Sequence, residues 1–136
     1  MELYFDGACE PNPGTGAAGF VLYSDGAVVA EGKKVLVGAC TNNMAEYSAL
    51  WLGIKEAVAQ GATDLIIYGD SKLVVEQVNK RWKAKNPRML KARDEVLKLL
   101  ENLQSWELSW KGRDFNTHAD GLSKAALEDA GITSRY

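Results

Sequence analysis

At 136 residues the chain can bury a sizeable core without disulfides or a structural metal, so a single domain over 1–136 is expected. A hydrophobic fraction of 46% and a charged fraction of 25% are ordinary for a soluble globular chain, and no apolar run is long enough to span a bilayer. The net charge of −2 gives no overall basic character, and two cysteines (Cys9 and Cys40) without zinc spacing make no secreted framework, so a reduced, cytoplasmic protein is expected.

Residues 2–9 read as a first strand, and the Pro/Gly/Asn-rich segment 10–16 as a turn. The stretch 17–36 reads as two strands joined at Asp25-Gly26, a hairpin signal. From Asn43 the period becomes helical through Met44, Tyr47, Leu50, Trp51, Ile54 and Val58, and Gly61 stops it. Residues 63–70 are a short apolar strand of the kind buried between covering helices. A helix is expected from Ser71 to about Asn79, and a second over 88–103 after the break at Asn86-Pro87. Residues 106–112 alternate as a strand, and 117–130 close as a helix. The order β-β-β-α-β-α-α-β-α implies an antiparallel meander followed by crossovers onto parallel strands, a mixed sheet with helices on its faces.

Charge is uneven along this order. Between Gln77 and Arg93 stand Lys80, Arg81, Lys83, Lys85, Arg88, Lys91 and Arg93, with no acidic residue among them. Taking that +7 from −2 leaves −9 on the rest. Such an island is either a nucleic-acid footprint or a solvated, Lys-rich helix edge.

Four carboxylates lie at element ends: Asp6 near the end of the first strand, Glu46 early in the first helix, Asp70 closing the fourth strand, and Asp120 opening the last helix. Three have plain structural readings. Glu46 is three residues after Asn43, close to a capping box, Asp70 can cap the helix after it, and Asp120 suits a helix N-terminus. Asp6 does not, because an ionised group in a central strand costs several kcal/mol unless it is paired, and no basic residue lies nearby in sequence. If the first and fourth strands are neighbours, Asp6 and Asp70 stand side by side, which demands a shared proton or a cation. All-oxygen ligands suit Mg²⁺ or Mn²⁺, and two such ions roughly 3.5–4 Å apart form a clamp for displacement at phosphorus.

These residues fall in four motifs: YFDGACEPNPGTGAAGF (4–20), TNNMAEYSAL (41–50), YGDSKLVVEQV (68–78) and RDFNTHADGLSKAA (113–126). In this order and spacing the chain resembles type 1 ribonuclease H, the endonuclease that cuts the RNA strand of an RNA–DNA hybrid. The resemblance implies an α/β fold, the five-stranded ribonuclease H sheet, with three antiparallel strands, then two parallel ones, and helices on both faces. It places the family's catalytic, metal-binding carboxylates on Asp6, Glu46, Asp70 and Asp120, and implies two Mg²⁺ ions with Mn²⁺ as a substitute. Asp6 and Asp70 would flank the ions at the scissile phosphate. Glu46 would hold one ion and contact the 2′-hydroxyl, and Asp120 would complete the other shell. One ion would activate water and the other stabilise the leaving 3′-oxygen, giving 5′-phosphate and 3′-hydroxyl ends.

The same resemblance assigns substrate contacts. Asn42 and Asn43 would touch the minor groove of the hybrid, Thr41 would grip a DNA phosphate, and Ser71 would join them. The backbone around Cys9 and Asn12 would approach RNA riboses, reading the 2′-hydroxyl that separates RNA from DNA. Gly7 would let substrate or metal come close to the backbone. Residues 79–91 take the place of a basic protrusion, shorter than the two-helix handle of some relatives. There Trp82 and Lys83 would meet sugar and phosphate, the other reading of Trp82 being a core residue in a short connection.

Many relatives carry a mobile, histidine-bearing loop before the last carboxylate, and here there is little room for it, so a short form lacking that loop is expected. His118 is then either a supporting residue at a helix start or a substitute for the loop histidine. Arg113 is a candidate phosphate contact, and Asn116 a supporting residue. An RNA–DNA hybrid is the expected partner, with no membrane and no obligate protein partner, for a chain expected to be a monomer. The alternatives are a non-catalytic hybrid-binding module and a nuclease of the same fold acting on DNA.

Overall fold

The computed structural model describes residues 1–10 and 14–129, and shows five strands and four α-helices. They are β1 (Glu2–Glu10), β2 (Gly14–Ser24), β3 (Ala27–Cys40), α1 (Asn42–Ala59), β4 (Asp64–Gly69), α2 (Lys72–Val78), α3 (Pro87–Leu100), β5 (Ser105–Trp110) and α4 (Thr117–Asp129). A short 3₁₀ turn, Arg113–Phe115, joins β5 to α4. The sheet order is β3-β2-β1-β4-β5, with β1 antiparallel to β2 and parallel to β4. This is the mixed α/β sheet expected from the sequence. None of the described helices is long and apolar enough to cross a membrane.

The β2–β3 hairpin turns at Asp25 and Gly26, whose φ values of 52° and 78° are those of the turn that an Asp-Gly pair favours. β1 and β2 both run into the span expected as a turn, since β1 reaches Glu10 and β2 begins at Gly14. Gly14 and Gly16, which read as punctuation there, are strand residues, and a side chain at Gly16 would stand 2.7 Å from the Cys40 sulfur. A side chain at Gly19 would stand 2.7 Å from the Ala119 carbonyl of α4, and Ala8, Ala17 and Ala126 form a small cluster at the same interface.

Pleat alternation then sorts the helices. Leu3, Phe5, Gly7 and Cys9 share one face of β1, and Leu3 and Phe5 enter a core with Leu50, Ile54, Ile67, Val74, Val96 and Leu100 from α1, β4, α2 and α3. Asp6 and Ala8 share the opposite face, toward α4. Helices therefore cover both faces, three on one and α4 on the other.

Gly7 lies where α1 comes closest to β1. A Cβ built there would fall 2.2 Å from the Ala45 backbone carbon and 2.3 Å from the Glu46 nitrogen. The room beside Gly7 is filled by α1, which corrects the expectation that it is kept open for substrate or metal. Gly7→Ala is expected to cost about 3 kcal/mol, because backbone cannot step aside as a side-chain tip can. A fall in the urea midpoint with unchanged slope would register it.

Candidate active site

Parallel pairing of β1 with β4 ends at Phe5 opposite Gly69. The next residue on each strand is Asp6 and Asp70, so the two carboxylates leave the sheet side by side, at the carboxyl ends of its central strands. Glu46 joins them from α1. Asp6, Glu46 and Asp70 each offer a carboxylate oxygen, and these oxygens all lie within 4.8 Å of one another. Asp6 is only 4% exposed and Glu46 7%.

Local capping explains why Glu46 and Asp70 reach this cluster. Thr41, not Asn43, caps α1, its hydroxyl accepting from the Met44 N–H at 3.2 Å. Glu46 is thus in the second turn and faces β1 instead of closing a capping box. Ser71 caps α2 by accepting from the Val74 N–H at 3.4 Å, so Asp70 is not the cap residue of that helix. A β-branched or small hydroxyl in extended conformation took both caps.

The electrostatics are those of a site short of positive charge. Burial pushes Asp6 up to about 7, against the hydrogen bond from Ser123 that pulls it down, and the charges of Asp70 and Asp120 push it further. Glu46 is held well above the ordinary glutamate value by burial, then by Asp6 and Asp70, with the Gly7 N–H opposing. Among the described residues, Asp6 has no ion-pair partner; its Oδ2 accepts from the Ser123 hydroxyl at 2.7 Å. Buried Glu46 Oε2 has no hydrogen-bond partner. Converging carboxylate oxygens, with no hydrogen-bond donor on Glu46 Oε2, fit a hard divalent cation.

The remaining sequence candidates divide. Asp120 lies outside the three-oxygen cluster, and its Oδ2 pairs with Lys124 at 2.8 Å one turn along α4. Its charge still reaches Asp6. Asn116 is buried and donates from Nδ2 to the Phe5 carbonyl at 2.7 Å, tying the start of α4 to the residue before Asp6. His118 is turned the other way. Its Nε2 is 2.7 Å from Glu31 of β3, and its Nδ1 is 3.4 Å from the Tyr23 hydroxyl, so it supports the helix start. The substitute for a loop histidine is corrected accordingly.

The Cys9 N–H donates to Asn42 Oδ1 at 2.9 Å, joining β1 to the first residue of α1, and Asn43 follows in the same turn. Trp82 is 45% exposed, which removes the core reading, and Lys83 beside it is exposed as well. Arg81 is held back to Glu76 by two bonds of 2.6 and 2.7 Å. Asn12 and the Arg113 side chain lie outside the described residues. Ser123 and Lys124 escaped the sequence reading, although they follow Asp120 by three and four residues, the spacing that shares a helix face.

A profile of the family described as Reverse transcriptase-like matches residues 4–126. Ribonuclease HI of Halobacterium salinarum is 41% identical over 131 residues, covering 96% of this chain and 65% of that protein. Ribonuclease H of Wolbachia sp. subsp. Drosophila simulans is 33% identical over 146 residues, covering 96% of this chain and 97% of that one. The chain belongs to the ribonuclease H family. The crystal structure of the Halobacterium salinarum RNase H1 superimposes with a TM-score of 0.91 at 40% identity, over 94% of this chain and 97% of that one. LC11-RNase H1, whose structure is in complex with an RNA/DNA hybrid, gives 0.88 at 25% identity, over 95% and 97%. The chain spans 65% of the archaeal relative's length and 35% of its mycobacterial relatives'. Ribonuclease H enzymes are metal-dependent, and the acidic cluster lies where this ribonuclease H fold opens between β1 and β4.

Proposed function

We propose that this chain is a metal-dependent endoribonuclease that hydrolyses the RNA strand of RNA–DNA hybrids, leaving 5′-phosphate and 3′-hydroxyl ends. The carrying observation is the convergence of Asp6, Glu46 and Asp70 oxygens within 4.8 Å on a ribonuclease H-family sheet. Two divalent cations, Mg²⁺ or Mn²⁺ in its place, supply Lewis acidity for in-line displacement at phosphorus when bound. Asp6 and Asp70 would hold them, Glu46 would add its unpartnered oxygen, and Asp120 would complete the ligand set. Ser123 keeps the Asp6 carboxylate turned into the cluster.

Thr41, Asn42 and Asn43 at the start of α1, with Cys9 fixed to Asn42, present polar groups to the hybrid and read the 2′-hydroxyl. Ser71 stands at the start of α2 on the same rim. Trp82 and Lys83 meet the DNA strand, and Arg113 a phosphate. His118 is engaged by Glu31, so water carries the leaving-group proton. The same reading takes the chain as one domain acting as a cytoplasmic monomer with no obligate protein partner.

Incubation with hybrid, duplex DNA and duplex RNA, each in Mg²⁺, Mn²⁺ or EDTA, tests this. Cleavage of the RNA strand of the hybrid alone, abolished by EDTA, is expected. Faster cleavage of DNA would mark a DNA nuclease of the same fold, and hybrid binding without cleavage a non-catalytic module.

A further inference from the structure

Two large apolar side chains, at the end of β5 and in the 3₁₀ turn that follows it, are left in solvent. Trp110 ends β5 with 52% of its surface exposed, and Phe115 ends the 3₁₀ turn with 68% exposed. These are the highest values among the exposed large apolar side chains of the described residues. Neither ring is loose. The Trp110 indole N–H donates to the Asp70 carbonyl at 3.2 Å, and the Lys111 ammonium lies 5.4 Å from the centre of the Phe115 ring.

The backbone carrying them is pinned to both central strands. The Lys111 N–H donates to the Gly69 carbonyl at 2.9 Å. Asn116, directly after Phe115, donates to the Phe5 carbonyl at 2.7 Å. Gly69 and Phe5 immediately precede Asp70 and Asp6. Trp110 is thereby fixed beside the residue that supplies a carboxylate, whereas the Phe115 ring lines a cavity with Glu2, Tyr4 and Tyr23, toward the other end of β1.

We propose that Trp110 is a substrate-contact residue that packs against the sugar of a nucleotide flanking the phosphate at the carboxylates. This rests on the hybrid-cleaving reading above. Inside a duplex the bases already stack on one another, so an aromatic ring at the edge of the site meets the sugar face. The Trp110 N–H is spent on the Asp70 carbonyl, so the ring offers contact area without reading base edges. The contact is accordingly independent of sequence.

An anisotropy titration of end-labelled hybrid in EDTA, where nothing is cut, tests the contact. Trp110→Ala is expected to weaken binding about tenfold. In Mg²⁺ the larger part of the loss should appear in KM rather than kcat. Trp110→Phe, which keeps a ring but not the indole N–H, should recover most of the affinity, and this separates contact from support of the Asp70 backbone. A folded Trp110→Ala variant that binds hybrid as tightly as the wild type would overturn the contact and leave the function standing. A wild-type chain that neither binds hybrid in EDTA nor cleaves it in Mg²⁺ would overturn the functional reading, and the contact with it.

Discussion

Asp70→Asn is expected to lower hybrid cleavage in Mg²⁺ by about a thousandfold or more, with the fold retained. Asp70 is one of three carboxylates whose oxygens converge, and it emerges beside Asp6 only because β1–β4 pairing stops one residue earlier. Asparagine keeps the shape and removes the charge that holds a divalent cation. The same change removes one of the charges pushing Asp6 and Glu46 up, so the metal-free variant should be more stable than the wild type by about 1 kcal/mol. Losing activity while gaining stability separates a cation ligand from a structural residue. Cleavage at the wild-type rate would remove Asp70 from the metal site.

The elements were legible before the structure, and the reason is physical. A strand's apolar run and a helix's period are local signals, so the order of elements followed from the sequence, whereas the adjacency of β1 and β4 stood only as a condition that the sheet order meets. A carboxylate at the end of each strand then meets the other. The capping residues were less legible. Asn43 and Asp70 are good caps by type, but the extended conformation at Thr41 and Ser71 decided which residue stood one step outside each helix. Small residues also misled. Gly14 and Gly16 look like turn punctuation, yet they continue β2, and at Gly16 a side chain would run into Cys40 of β3.

Partners from distant segments were the least legible. His118 answers to Glu31 and Tyr23, which lie 87 and 95 positions away in sequence and reach it only through the packing of α4 on β2 and β3. Asp120 was read as a fourth metal-binding carboxylate, and the lysine that pairs with its Oδ2, one turn further along its own helix, escaped that reading. Ser123 has the opposite lesson: a short hydroxyl on α4 is the hydrogen-bond donor for the aspartate that sequence alone left without a partner.

Without divalent ions, the chain is expected to lose stability as pH rises from about 4 to about 7. The folded state keeps a proton on Asp6 up to about 7, whereas the unfolded chain releases it near the ordinary value of 3.8. Between those values the folded state binds more protons, so raising the pH favours unfolding, and Glu46 acts in the same direction. For Asp6 alone the gap corresponds to on the order of 4 kcal/mol. Asp64 and Glu76, whose pKa values are lowered by hydrogen bonds from Ser105 and Arg81, have the opposite sign, but they act below about pH 4. Urea midpoints measured from about pH 5 to about pH 8 should therefore fall in EDTA, and fall less in Asp70→Asn. Mg²⁺ at a hundred times its dissociation constant should restore about 2.7 kcal/mol at the upper end, where the carboxylates are ionised and free to hold it. A metal-free midpoint that stays level or rises across this range would mean that the cluster is not repelling itself, and that some other group supplies the positive charge.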